Sequence, residues 1–168
     1  MRVVLLIVVL LFPIDLFAKE VSVQEIKLPP VLSNKVILTI YTPDDVKQLS
    51  HAQIEAIGLK RLNTSTFWPQ DYGEFNGVLL RDLLSESGIE NVSQIKITAL
   101  DDYITIIPQE DWRKWDVILA TRHEKKVISI RDKGPLRIIY PKDIGGEVAE
   151  SDMRVRWIWA VKSIEPVR

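Results

Sequence analysis

Apolar and polar residues alternate over several short stretches of the chain, which is the pattern of β-strands that bury one face. Two stretches show helical signals instead. Ser50 and Gln53 have the spacing of a capping box ahead of a short helix over 51–57, and the apolar positions of 78–87 predict a helix that ends at Gly88. One helical turn is predicted over 110–115, and strands are predicted over 36–41, 59–67, 95–99, 103–107, 117–121, 127–130, 136–140 and 155–161. Many short strands with few helices predict an α+β fold with a mixed, mostly antiparallel sheet.

The N-terminal residues have a different pattern from the rest of the chain. Arg2 precedes an unbroken apolar run over 3–12, followed by Pro13 and the small residue Ala18, which is typical of a secretory signal peptide. The run is too short to cross a bilayer, which takes roughly 20 apolar residues, although an uncleaved anchor is the alternative. We therefore expect a signal peptide over 1–18, an extended leader over 19–34 and one domain over 35–168, located in the periplasm or secreted.

Composition then restricts the chemistry. The 168 residues are 46% hydrophobic and 27% charged, carry a formal net charge of -1 and include no cysteine. These values indicate one globular domain and argue against nucleic-acid binding. The absence of cysteine excludes thiolate nucleophiles, disulfides and metal sites built on thiolates. Charge is unevenly distributed, because 41–111 holds five basic and twelve acidic residues, whereas 113–142 holds nine basic and three acidic ones.

A polar segment precedes the predicted loop over 68–73. The hydroxyls of Thr64, Ser65 and Thr66 and the indole of Trp68 are candidates for binding a polar or anionic ligand. The alternative is a strand end whose hydroxyls cap turns while Trp68 packs against the core.

The basic part of the chain offers candidates for an anion clamp, since guanidinium groups form charge-assisted bonds to phosphates and carboxylates. The alternative is a solvated face of the hairpin that the strands over 117–121 and 127–130 are predicted to form. The candidate residues are Arg113, Arg122, His123, Arg131 and Arg137.

Four further features have ordinary structural interpretations. The adjacent Asp101 and Asp102 are expected to cap a turn rather than bind a cation, and His51 is expected to have a local role. The alternation over 155–161 predicts that Trp157 and Trp159 are buried. A separate pair of aromatic residues, Trp112 and Trp115, could form an exposed patch for a protein partner.

Five segments, taken in order, resemble the oxidoreductase molybdopterin-binding family, which includes sulfite oxidase and the catalytic subunit of the periplasmic methionine sulfoxide reductase. The similarity extends over 34–165 and is greatest to short, exported, single-domain members. The segments are N-T-S-T-F-W-P at 63–69, F-N-G-V-L-L-R-D-L-L at 75–84, A-L-D-D-Y at 99–103, G-P-L-R-I-I-Y-P at 134–141 and W-I-W at 157–159.

This resemblance implies a sulfite-oxidase-like fold, and it also identifies a difference. Enzymes of the family hold molybdenum through the dithiolene of the cofactor and one cysteine, whose place here falls within 64–66 and nearest Ser65. A hydroxyl oxygen does not replace a soft thiolate at such a centre. We therefore expect no metal-ligating or catalytic residue of that kind.

The function expected from these observations is a non-catalytic binding module. Its ligand would be a small anion or a pterin-like molecule, with molybdopterin as one candidate cofactor, or its partner would be a membrane-bound signalling or redox protein. The alternatives are a molybdopterin-dependent oxidoreductase without cysteine ligation and a purely structural partner protein. The residues expected to contact the ligand are Thr64, Ser65, Thr66, Trp68, Arg122 and Arg137.

Overall fold

The computed structural model describes residues 23–167, so the predicted signal peptide lies outside the described residues. Short strands form most of the regular structure, as the alternating pattern predicts. The strands are β1 (Gln24–Glu25), β2 (Val36–Tyr41), β3 (Val46–Ser50), β4 (Lys60–Ser65), β5 (Tyr72–Leu79), β6 (Gln94–Ala99), β7 (Ile104–Pro108), β8 (Ile118–His123), β9 (Lys126–Val127), β10 (Arg137–Ile139) and β11 (Val161–Pro166). The described helices are α1 (His51–Glu55), α2 (Leu80–Ser87) and α3 (Gln109–Lys114), together with 3₁₀-helices at Ile130–Asp132, Lys142–Ile144, Gly146–Ala149 and Ser151–Arg156.

The strands form two sheets. The first has the order β1-β4-β5-β8-β10, with β9 paired to β8, and all of its pairs are antiparallel. The second has the order β3-β2-β11-β6-β7, and its only parallel pair among the described residues is β2 with β11. The predicted α+β class with a mixed, mostly antiparallel sheet is therefore confirmed.

A single apolar core joins the two sheets. Alternate residues of β2 and β6 are buried, and α2 contributes Leu80, Leu83 and Leu84, all of them fully buried. Burial of these faces is the main favourable contribution to folding. The predicted capping box is also present, because the Ser50 side chain accepts from the Gln53 backbone N–H while the Gln53 side chain accepts from the Ser50 N–H.

One strand was not predicted from the sequence. The predicted loop over 68–73 is confirmed for 68–71 but ends two residues earlier than expected, and the predicted helix start at residue 78 is wrong, since residues Tyr72–Leu79 form β5 and the helix begins at Leu80. Val78 and Leu79 are buried between neighbouring strands. A short apolar run fits the strand period and the helix period equally well, and here the pairing with β4 and β8 decides between them.

The C-terminal strand lies later in the chain than predicted. The alternation over 155–161 does not form a strand; instead a 3₁₀-helix spans Ser151–Arg156 and β11 begins at Val161. Ala160 has a φ of 52°, which interrupts extended backbone just before β11. Trp157 is buried as expected, whereas Trp159 is only half-buried.

The hairpin predicted over 117–130 is also shorter than expected. Its second strand covers only Lys126–Val127, and the chain turns into a 3₁₀-helix at Ile130. The backbone of Ser129 accepts hydrogen bonds from the N–H groups of Asp132 and Gly134, which closes this turn and ends strand pairing.

A β-bulge shapes the centre of the first sheet. Asn76 pairs with Arg122 and Gly77 pairs with Ala120, so Thr121 is an extra residue on β8. Because the faces of a strand alternate, this extra residue places Arg122 and Ala120 on opposite faces of the sheet. The bulge thus decides which basic side chains can share one site.

We expect Gly77→Ala to lower the free energy of unfolding by about 3 kcal/mol, the upper range for overpacking in a filled core. A Cβ at this position would lie 2.6 Å from the Cα of Ala120 and still closer to the carbonyl oxygen of Leu119, and backbone atoms cannot move aside cheaply. Urea unfolding measures the change. The control is Gly88→Ala, where φ is 79° but the space is open, and its expected loss is about 1 kcal/mol. Equal losses for the two variants would contradict the close approach at Gly77.

Candidate functional site

Aromatic side chains from three segments line an open pocket of about 320 Å³. Trp68 comes from the β4–β5 connection, Tyr103 from the turn before β7, and Trp157 and Trp159 from the segment before β11. The ring centroids of Trp68 and Trp159 are 4.8 Å apart and those of Trp68 and Trp157 are 6.5 Å apart, both in edge-to-face geometry. We call this site the aromatic pocket; its size is within the range of small-molecule sites.

Two cations lie beside the ring of Trp68. The Nζ of Lys133 is 5.3 Å from the Trp68 centroid and 5.5 Å from that of Trp159, and the guanidinium carbon of Arg154 is 5.4 Å from Trp68. These distances are within the range of cation–π contacts. Among residues 23–167, Arg154 forms no ion pair, and it is exposed at the edge of the pocket. The pocket therefore presents a positively charged group that is free to meet a ligand.

Trp157, which lines the pocket, has a buried hydrogen-bond donor without a partner in the described part of the chain. Its side chain is 3% exposed, and its indole Nε1 has no hydrogen-bond partner among the described residues. Buried donors are nearly always paired, and a bound ligand or an ordered water is a common partner.

A buried carboxylate holds the Trp68 loop in place. The Arg137 guanidinium, 3% exposed on β10, donates to both carboxylate oxygens of Asp71 at 3.1 and 2.7 Å, and the Lys133 ammonium donates to the same group at 2.6 Å. Asp71 also closes its own loop, because its N–H donates to the Trp68 carbonyl at 3.2 Å. Two-point guanidinium–carboxylate contact fixes orientation as well as distance.

The charge state of Asp71 follows from these contacts. Burial alone would raise its pKa, but hydrogen bonds from Arg137 and Lys133 and their positive charges outweigh burial and lower the pKa to about 2. Arg137 is therefore committed to an internal ion pair. The sequence did not indicate Asp71, because nothing in the spacing of the two residues shows that they meet across the fold.

The three predicted hydroxyl residues also have partners within the chain. The Ser65 backbone N–H donates to the Asp143 carboxylate at 2.9 Å, and the Ser65 hydroxyl donates to the same carboxylate. The Asp143 N–H donates to the Thr64 hydroxyl at 3.3 Å, and the Thr66 hydroxyl accepts from the Trp68 N–H at 3.2 Å. This segment thus connects the end of β4 to the 3₁₀-helix at Lys142–Ile144.

The structure separates Arg122 from the other candidates. Arg122 donates to the Glu55 carboxylate at 2.8 and 2.7 Å and to the Pro29 carbonyl at 2.8 Å, so it joins β8 to α1 and to the leader. The bulge at Thr121 places Arg122 on the face of the first sheet opposite to Arg137, which pairs with Ala120. Thr64, Ser65, Thr66, Trp68 and Arg137 therefore lie in one region, whereas Arg122 lies elsewhere.

The remaining basic candidates do not converge on a clamp. Arg113 and Arg131 are exposed on different elements. The His123 ring stacks on Phe75 at 4.4 Å between centroids, and its Nε2 lies 3.0 Å from the Tyr72 carbonyl oxygen. A five-residue anion clamp is therefore wrong as a geometric arrangement, because Arg113 and Arg131 lie on separate helical segments. In addition, Arg122 and Arg137 lie on opposite faces of the first sheet.

The predicted aromatic patch and the acidic turn have simple outcomes. Trp112 is 2% exposed and belongs to the core, so the patch with Trp115 is wrong; the apolar face of α3 packs inward. Asp101 accepts from the Tyr103 N–H at 3.2 Å, which is the expected turn contact.

Within residues 23–167 there is no group of three or more His, Cys, Asp or Glu side chains that could hold a metal. In the same part of the chain, no helix is long and apolar enough to cross a membrane.

We expect the stability of the protein to fall by about 2 kcal/mol between about pH 4 and pH 2 through Asp71 alone. A carboxyl group whose pKa is lower in the folded state stabilises the fold above its unfolded pKa, and that contribution is lost as pH falls through the folded value. Urea unfolding of wild type and Asp71→Asn across this range measures the effect. The difference between the two proteins should be large at pH 7 and should shrink toward pH 2.

The matched control is Asp102→Asn, which removes a carboxylate from an exposed pair with Lys162. Exposed pairs contribute little, so this variant should follow the wild-type curve. A constant difference between wild type and Asp71→Asn at all pH values would show that Asp71 does not titrate as its contacts require.

Comparison with known proteins places these features in a family. A search of curated proteins found no match. A family model described as "Oxidoreductase molybdopterin binding domain" matches residues 61–162, more than half of the chain, and the match extends from β4 through the aromatic pocket to β11. The resemblance seen in the sequence and the sulfite-oxidase-like α+β fold that it implied are thus confirmed, and the chain belongs to the oxidoreductase molybdopterin-binding domain family.

Proposed function

We propose that the protein is a non-catalytic member of this family that binds a small, planar, anionic, pterin-like molecule in the aromatic pocket. The observation that carries the proposal is the combination of three indole rings with the unpaired guanidinium of Arg154 around one opening. Ring faces stack on a flat conjugated ligand, and the guanidinium forms charge-assisted bonds with its anionic group.

The residues near the end of β4 do not fit the metal centre of the family's enzymes. The chain has no cysteine, and the hydroxyl nearest to the expected thiolate position, that of Ser65, donates to the Asp143 carboxylate. A soft metal held by a dithiolene favours thiolate sulfur. The nearby negative charge of Asp143 would also repel an anionic dithiolene. The residues at this position therefore support no redox step of the kind that the family's enzymes perform.

The pocket supports selectivity for an anion. Asp101 is the only carboxylate among its described lining residues, and it is exposed and accepts from the Tyr103 backbone N–H. Arg154 and the nearby Lys133 lie against the Trp68 ring. A ligand with a flat ring and a negative group would meet both the aromatic side chains and the cations.

The proposed location and partner rest on the sequence. The pattern of residues 1–18 supports export to the periplasm or secretion, where the bound ligand would be sensed by a membrane-bound signalling or redox protein. This last step is an analogy with other exported binding modules.

We expect the protein, produced in a molybdenum-replete host and purified without chelators, to contain far less than one molybdenum atom per chain by mass spectrometry. The reason is the absence of a soft ligand near Ser65. A known molybdopterin enzyme from the same host is the control for metal supply. A stoichiometric molybdenum signal would overturn the non-catalytic assignment and favour an oxidoreductase without cysteine ligation.

We expect pterin-6-carboxylate to bind with one site per chain in a calorimetric titration and to quench tryptophan fluorescence. Arg154→Ala should weaken binding about tenfold, the usual effect of losing one charge-assisted bond. Trp68→Leu should weaken it by a similar factor through lost stacking.

The matched controls lie outside the aromatic pocket. Arg131→Ala removes an exposed guanidinium, and Trp115→Leu removes a half-buried indole. Both should bind the probe like wild type. Binding that is undetectable in wild type, or equally weakened by the control variants, would refute the assignment of the ligand to this pocket.

A further inference from the structure

A second cavity of about 500 Å³ lies between the second sheet, the β8–β9 hairpin and the residues that lead into β2. It shares no lining residue with the aromatic pocket. We call it the His51 groove. Its volume is within the range of small-molecule sites, and its lining includes Val36, Ile37, Leu100, Val127, Ile128 and Ile130.

The walls of the His51 groove are mostly apolar and open to solvent. Val36, Leu100, Val127 and Ile130 are 44%, 46%, 43% and 68% exposed, although they come from three separate segments of the chain. Exposed apolar side chains that converge on one concavity are typical of a binding surface. Single exposed apolar residues scattered over a surface are ordinary and indicate no such site.

His51 supplies a polar group in this apolar environment. Its side chain is 6% exposed, and its Nε2 has no hydrogen-bond partner among the described residues. Burial is the largest effect on His51 and lowers its pKa, and the positive charge of Arg122 lowers the pKa further. The negative charge of Glu55 raises it, but by less than burial lowers it. The imidazole is thus neutral near pH 7, and it forms part of the groove wall without adding a charge.

The charges along the groove have one sign. Lys35 and Lys162 belong to its lining, and no Asp or Glu does. Within residues 23–167 Lys35 has no ion pair, while Lys162 contacts Asp102 at 3.0 Å in an exposed pair that contributes little. An anionic group is therefore complementary to this edge, whereas a cation is not.

We propose that the His51 groove binds a small amphipathic carboxylate, an unbranched aliphatic chain that ends in one carboxylate group. The chain lies against Val36, Val127 and Ile130, where it removes apolar surface from water. The carboxylate lies at the lysine edge, beside Lys35 and Lys162. The proposal is independent of the function proposed for the aromatic pocket, because the two sites use different residues.

Calorimetric titration of the full chain with sodium decanoate, kept below its micelle concentration, tests the proposal. We expect one site per chain, and binding at least about tenfold tighter than that of 1-decanol or decyltrimethylammonium, because those probes lack the negative charge. Equal binding of all three probes would overturn the charge argument, and no binding of decanoate would overturn the site.

Two variant pairs locate the probe. Ile130→Glu places a carboxylate on the exposed groove wall, and Ile104→Glu does the same at a position that is 51% exposed and outside the groove. Lys35→Glu reverses a charge at the groove edge, and Lys27→Glu reverses one on the leader, outside the groove. The first variant of each pair should weaken decanoate binding about tenfold while the second leaves it unchanged. Equal effects within either pair would refute the location.

Histidine-selective ¹⁵N labelling gives a direct readout, because the chain has only two histidines. We expect the ring signals of His51 to shift saturably with decanoate, while those of His123, which lies against Phe75 outside the groove, stay constant. Unchanged His51 signals would overturn the proposal. Dissociation of a dimer by Ile130→Glu, without any decanoate binding, would assign the groove to a second copy of the chain instead.

Discussion

The buried contact of Asp71 with Arg137 and Lys133 is the interaction on which the described site depends. It connects the loop after Trp68 to β10, two segments more than sixty residues apart in the chain. Removing one member of such a buried pair leaves an uncompensated charge, which is far more destabilising than losing an exposed pair. The position of the Trp68 ring, and with it one wall of the aromatic pocket, follows from this contact. Lys133 then has two roles, since it neutralises Asp71 and lies against the indoles of Trp68 and Trp159.

Local signals in the sequence predicted much of the fold. The Ser50–Gln53 capping box predicted the start of α1, and the alternation on both sides of Asp101 and Asp102 predicted the β6–β7 hairpin. In both cases the determining contacts lie within a few residues of one another. β5 was missed because the apolar run at Val78 and Leu79 fits two periods, and its strand form depends on partners far away in the chain.

The site was predictable only in part, for the same reason. Motifs placed Thr64, Ser65, Thr66 and Trp68 together, since these residues are neighbours in sequence. The sequence could not show that Arg137 would form an ion pair with Asp71. Nor could it show that the extra residue Thr121 would place Arg122 on the face of the first sheet opposite to Arg137. Charge type is visible in a sequence, but the partner of a charge is set by tertiary structure.

The position of β11 has a consequence for how the chain folds. Residues Val161–Pro166 lie between β2 and β6 in the middle of the second sheet, so the β2–β3 and β6–β7 hairpins are joined into one sheet only through β11. A chain that has not yet been synthesised as far as Val161 can therefore form local hairpins but not this sheet. Pairing over such sequence distances slows folding, and the sheet depends on one short strand for its continuity.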